Sequence, residues 1–210
     1  MNNWTYAGLT LLMLLGYEAF LILLSKTRPE RLAREMHAGL REDWVNALAQ
    51  SKGSEILGVQ TLRNSLMSSS LVASTSALGL MGTITLSIPG IQSQLLPAGE
   101  VSASMASARI VMDLTLLLLL FASLITSVMA ARYYNHAGFV VGMPVESPSR
   151  KKWQAAGVKY TRRAGILYGI GLRQLLLVAP VIAYILHPGA GPFVALVVIG
   201  SLWSFDRYSD

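Results

Sequence analysis

The sequence predicts an all-α, polytopic membrane helical bundle, and three observations carry that prediction. Apolar runs long enough to cross a bilayer recur along the chain. Of its 210 residues, 53% are hydrophobic and only 13% are charged, against about 25% charged in an ordinary soluble domain. Its basic residues crowd between alternate apolar runs, as the charges of cytoplasmic loops do. The mean hydropathy of +0.50 agrees. These features predict a single integral membrane domain over 1–210. It has four full spans, a short fifth C-terminal membrane helix, and amphipathic helices on the cytoplasmic side. A net charge of +6 and a pI near 9.8 would fit a nucleic-acid binder. The placement of the bases between spans argues instead for a membrane partner and against nucleic acid. The chain has no cysteine, which excludes disulfides, thiolate metal sites and cysteine nucleophiles.

The first span is 4–24, WTYAGLTLLMLLGYEAFLILL. It lacks the basic start and small-residue cleavage site of a signal peptide, so it is read as retained. Lys26, Arg28, Arg31 and Arg34 follow, placing its end in the cytoplasm and the N-terminus outside. Thr27-Arg-Pro-Glu30 reads as a capping box with an early proline. Leu32, Met36, Leu40, Val45 and Leu48 then recur at helical spacing with charges between them, an amphipathic cytoplasmic helix ending before Gly53.

The second span is 59–88, stopping at Pro89-Gly90, and residues 89–107 form the outer connection. The third is 110–131, ending at Arg132. The segment 132–163 returns to the cytoplasm, with a helix starting at Ser147-Pro148. Its Arg150, Lys151, Lys152, Arg162 and Arg163 suit contact with anionic lipid. The fourth span is 164–186, and HPGAGP breaks the helix before a short apolar segment, 192–205. Arg207 favours a cytoplasmic C-terminus. Residues 26–63 carry seven Lys or Arg and 132–173 carry eight, against Arg109 alone between them. That asymmetry sets the topology and predicts a bacterial inner (cytoplasmic) membrane protein.

VQTLRNSLMSSSLVAST at 59–75 and RYYNHAGFVVGMP at 132–144 resemble the signature segments of a family of uncharacterised multi-pass membrane proteins found in bacteria and plants. The likeness extends roughly from Tyr6 to Trp203. It implies an integral membrane fold of four or five helices, and brings no activity or catalytic residues with it.

The chemistry-bearing residues fall in two groups. On a 100° wheel, Thr61, Ser65, Ser68, Ser69, Ser76, Gly79, Thr83 and Ser87 share one face of the second span, interrupted by Val72. Such a face should not meet lipid. It either packs on a neighbouring helix, with hydroxyls bonded back to the i−4 carbonyl, or lines a wet pathway. The second group is charged. Glu18, Arg63 and Arg173 all fall near the inner ends of their spans. A charge in hydrocarbon costs at least about 2.5 kcal/mol, so Glu18 is expected to pair with Arg173, or failing that Arg63. Around the two arginines an anion site or gate is the functional alternative to a structural bridge. Arg109 and Asp113, four apart, are expected to pair across one helix turn. Gly165 and Gly169 read as a small-xxx-small helix contact, and Pro180 as a kink. His37, His136 and His187 are spread along the chain, and no catalytic motif appears, so neither an enzyme nor a bound cofactor or metal is expected. The function expected is passage of an ion or small solute by a homo-oligomer along the hydroxyl face. The alternative is a non-conducting scaffold or accessory subunit of another membrane complex.

Overall fold

A computed structural model describes residues 2–95 and 103–207, and they form an all-helical bundle. In chain order the helices are α1 (Asn3–Thr27), α2 (Ala33–Leu48), α3 (Glu55–Leu95), α4 (Ala103–Val141), α5 (Pro148–Leu176), α6 (Val178–Leu186) and α7 (Ala190–Asp206). Four stretches, Asn3–Thr27, Glu55–Leu86, Ala108–Val141 and Pro148–Leu186, are long and apolar enough to cross a membrane, and α7 is a shorter apolar helix. This is the architecture of an integral membrane protein.

α3 and α4 run 41 and 39 residues, roughly twice the length needed to cross the hydrocarbon. Part of that length belongs to a second core at one end of the bundle. There α2, the start of α3, the end of α4 and the start of α5 bury a core of their own around Leu48, Leu62, Tyr134, Ala137, Val141 and Ala164. This end carries both basic segments. The other core runs down the bundle through Ala7, Leu14, Leu21, Met112, Leu120, Val181 and Ala195.

α3 packs on α4 through a seam of small residues. On α3 the inward positions are Leu62, Leu66, Ser69, Ala73, Ser76, Leu80 and Thr83. On α4 they include Leu120, Ser123, Ser127, Ala130, Tyr134, Ala137 and Val141, all buried. Both series alternate steps of three and four, the seven-residue repeat of helices that supercoil left-handedly. Small side chains along the middle of the seam let the two backbones approach without polar atoms meeting lipid.

Several elements depart from the sequence expectation. Thr27 does not cap α2. It belongs to α1, where its hydroxyl donates to the Leu23 carbonyl. A 3-10 turn, Pro29–Arg31, follows, and α2 begins after Leu32 without a side-chain cap. On α2 the buried residues are Ala33, Ala38, Val45 and Leu48, while Met36 and Leu40 are exposed. Gly53 takes φ of +79°, which reverses the chain between α2 and α3. The α3 backbone runs through Pro89 and Gly90 instead of stopping there. Of the outer connection, residues 96–102 lie outside the described residues. α4 continues past Arg132 for nine more residues to Val141, where a loop was expected. No proline interrupts that stretch, and Tyr134, Ala137 and Val141 give it a buried stripe.

Other readings hold. Ser147 caps α5, its hydroxyl accepting the Arg150 amide at 3.1 Å, with Pro148 next. The fourth span breaks at Leu177, three residues before Pro180. Proline has no N–H for the Leu176 carbonyl, and its ring crowds that carbonyl. α7 follows α1 back to the basic end: Gly191 lies against Thr10, and Phe20 stacks edge-on against Trp203 with centroids 5.4 Å apart. Leu32 and Arg207 pair through their backbones there.

Candidate functional site at the basic end of the bundle

The hydroxyl face of α3 is divided by its contact with α4. Ser69 and Ser76 are fully buried. Ser65, Gly79 and Thr83 sit at the edge of the seam, half-buried, and Ser68 is exposed, as is Thr61. Ser87 lies outside the residues whose side chains are described. The inward face is therefore turned from the predicted one toward Leu62 and Ala73, and Ser68 does not belong to it. Most hydroxyls in the series are satisfied on their own helix: Ser65 donates to the Thr61 carbonyl, Ser69 to Ser65 and Thr83 to Gly79. Ser76 has two acceptors at 2.8 Å, its own Val72 carbonyl and the Ser123 hydroxyl of α4, and because Ser123 donates onward Ser76 is the donor of the contact across the seam. Ser123 in turn donates to the Gly171 carbonyl of α5 at 2.7 Å. One chain of hydrogen bonds thus ties three helices together. Gly171 makes this possible, because a Cβ there would collide with the Ser127 hydroxyl and lie 2.9 Å from that of Thr126. Gly79 is a milder case, its missing Cβ 3.1 Å from Leu120.

The charges are arranged differently from the expectation. Among the described residues the ion pairs are Arg34–Glu35, Lys52–Glu146, Arg162 with Glu35 and Glu42, and Arg173–Asp206. Glu18 pairs with neither Arg173 nor Arg63. Arg173 donates to Asp206 at 2.6 Å instead, and the Tyr17 hydroxyl donates to the other oxygen of Asp206 at 2.6 Å. α7 delivers this aspartate as its last residue. Glu18 lies beside the cluster, within Coulombic reach of Arg173, Asp206 and Arg34, and its Oε1 is buried without a hydrogen-bond partner. Arg63 is exposed, in an open groove between α3 and α4 with Asn135 and Phe139. Among the described residues it lines a different cavity from Arg173. Asp113 is buried on α4, and Arg109 does not form an ion pair with it.

Next to the Arg173–Asp206 pair a cavity of about 410 Å³ opens between α2, α5 and α7. α2 contributes Arg34, His37 and Arg41. Tyr168, Gly169 and Arg173 come from α5. Leu172, Leu176, Leu202 and Phe205 supply apolar walls. Gly169, expected at a helix contact, faces open space with nothing within 4 Å of where its Cβ would stand. Gly165 is the close contact, its face covered by the guanidinium of Arg41. The spacing of Arg34, His37 and Arg41 by three and four residues was visible in the sequence and marks a single basic face. Asp206 and Tyr17 carried no such signal, because they meet only through the fold.

Of the five bases read as surface lipid contacts, Arg150 is not at the surface. It is 2% exposed and donates to the Val140 carbonyl, anchoring α5 to the end of α4. Arg162 is held by Glu35 and Glu42. Lys151, Lys152 and Arg163 are exposed. The histidines are dispersed: His37 at the cavity, His136 against Tyr160 and His187 at the α6–α7 turn.

A family model described as a protein of unknown function, DUF599, matches residues 5–210. The chain belongs to this DUF599 family. No curated protein and no solved structure matches it. Membership of DUF599 thus agrees with the resemblance of 59–75 and 132–144, and assigns no site.

Proposed function

We propose that this DUF599 protein binds and passes an ion at the Glu18 cluster, in a non-enzymatic homo-oligomer. The hydroxyl face of α3 is not the route in this reading. The supporting observation is the unpartnered Glu18 oxygen, buried beside a tyrosine–aspartate–arginine cluster. A carboxylate at membrane depth without its own counter-ion is costly, and ionisable groups in that position mark ion and proton paths. A cation or proton is the species it would take. Assembly draws support from Asn64, an exposed amide on α3 in line with exposed Ser68 and Thr75, since polar groups on a membrane helix favour a helical neighbour. The basic end faces the cytoplasm of a bacterial inner membrane in this proposal, with Lys151, Lys152 and Arg163 on anionic lipid.

The test is flux into proteoliposomes loaded with a pH-sensitive dye and polarised with a potassium gradient. The purified protein should acidify or alkalinise the lumen faster than empty vesicles, and Glu18→Gln should remove the excess. No excess flux from the unmodified protein, in any potential, overturns the reading. The scaffold alternative is favoured by one observation, the closure of Ser69 and Ser76 against α4. It predicts a silent monomer that co-purifies with other membrane proteins.

A further inference from the structure

We propose that the cavity between α2, α5 and α7 holds the phosphate headgroup of an anionic phospholipid, drawn from the leaflet at the basic end of the bundle. The inference stands apart from ion passage at Glu18 and does not require it. Three features of the cavity carry it: charge, shape and an apolar lip.

The charge of the lining is net positive. Arg34, Arg41 and Arg173 line the cavity against a single acid, Asp206. Asp206 is already answered by Arg173 and Tyr17, at 2.6 Å each. The neighbouring acids of α2, Glu35 and Glu42, are engaged by Arg162. Arg34 reaches Glu35 only at 3.6 Å, and its Nε is buried without a partner. Arg41 forms no ion pair among the described residues. Two guanidinium groups and the His37 ring therefore stand on one face of α2, Arg34 with only a long contact to Glu35 and Arg41 with no ion pair among the described residues. Planar guanidinium forks match phosphate oxygens in pairs.

The shape is that of a ligand pocket. A volume of about 410 Å³ lies inside the range of roughly 300–1,000 Å³ such sites occupy. It holds a headgroup and the first methylenes, and not two whole acyl chains. The lip supplies the rest. Leu176 and Phe205 are 45% and 80% exposed at its edge, which suits acyl chains passing between α5 and α7 into the bilayer. Basic pockets between membrane helices on the cytoplasmic side recognise anionic headgroups by this combination.

The experiment uses the full chain in an uncharged detergent, with bound lipid read by native mass spectrometry. The probes are phosphatidylglycerol, phosphatidylcholine and glycerol phosphate. Phosphatidylglycerol should bind, and Arg34→Gln with Arg41→Gln should weaken it by about tenfold or more. Gly169→Trp enters the open volume at a position where a Cβ meets nothing within 4 Å, and should abolish binding too. Arg109→Gln, at an exposed base near the start of α4, should change nothing. Phosphatidylglycerol binding that survives Gly169→Trp would place the lipid elsewhere on the surface and overturn the site. Equal binding of phosphatidylcholine would overturn the charge argument, and equal binding of glycerol phosphate would make this a free-anion site and not a lipid site.

Discussion

Replacing Ser76 by leucine separates the packed reading of α3 from the wet one. Ser76 is fully buried, and its hydroxyl meets Ser123 at 2.8 Å. Removing the hydroxyl alone, as in Ser76→Ala, loses one interhelical hydrogen bond, about 0.6 kcal/mol in a membrane bundle. Ser123 keeps its bond to the Gly171 carbonyl, so no buried donor is orphaned. Leucine adds a larger side chain to a seam where Ala73, Ser123 and Ser127 already close the gap. Overpacking of that kind costs about 1–3 kcal/mol. The sum is about 1.6–3.6 kcal/mol, or roughly 15- to 400-fold in the folding equilibrium at 25 °C. Ser68→Leu is the matched control, because Ser68 is exposed and bonds only to its own helix at the Asn64 carbonyl. It should cost nothing measurable. Reversible unfolding by titrated SDS in mixed micelles, followed by circular dichroism, reads both. Equal effects of Ser76→Leu and Ser68→Leu would refute the seam and return the hydroxyl face to solvent.

Two further outcomes follow from the charges. Arg173→Gln and Asp206→Asn should each cost about 3 kcal/mol as single changes, since each strands a nearly buried partner, while the double variant recovers part of the loss. Glu18→Gln, by contrast, should be neutral or stabilising in the same SDS titration, because no ion pair is broken. A large loss there would show that Glu18 has a partner after all. For orientation, Lys151→Cys in intact cells should resist a membrane-impermeant thiol reagent that labels His187→Cys at the α6–α7 turn. The reverse pattern would invert the proposed topology.

The helical bundle was legible in the sequence because span length and apolar composition are local properties. So was the gathering of both basic segments at one end, which alternate crossings enforce. The seam of α3 was legible in content but not in phase. A 3.6-residue wheel groups Thr61 and Ser68 with Ser76, whereas helices held against each other keep a seven-residue repeat, Leu62, Ser69, Ser76 and Thr83, and the two patterns drift apart by about 20° per heptad. Between Ser68 and Ser76 that drift is only about 20°, and Ser68 falls outside the seam because it sits one residue, about 100°, from buried Ser69. The continuation of α4 to Val141 was hidden for another reason. RYYNHAGF is polar enough to read as a loop, and becomes a helix because α2, α3 and α5 give Tyr134 and Ala137 something to pack against.

The charges show why a site could not be read from depth alone. Glu18, Arg63 and Arg173 were grouped because they fall at similar positions along their spans, yet depth fixes only one coordinate. The angle around each helix and the choice of neighbour fix the others, and these depend on the whole bundle. Arg63 turns outward into a groove, Arg173 turns inward to a carboxylate supplied 33 residues later in the chain, and Arg150 buries itself against a carbonyl. The basic residues at this end therefore do three distinct jobs. Some are neutralised by acids, as Arg173 and Arg162 are. Arg150 is spent on holding two helices together. Arg34 and Arg41 line a cavity, Arg34 held only by a long contact to Glu35 and Arg41 by no ion pair among the described residues. A bundle that needed its arginines merely for orientation in the membrane would leave them at its outer rim, where water and lipid phosphates solvate them. Placing two of them inside the rim lets both face the cavity between α2, α5 and α7, and it is this placement, more than their number, that gives the basic end a binding chemistry beyond topology.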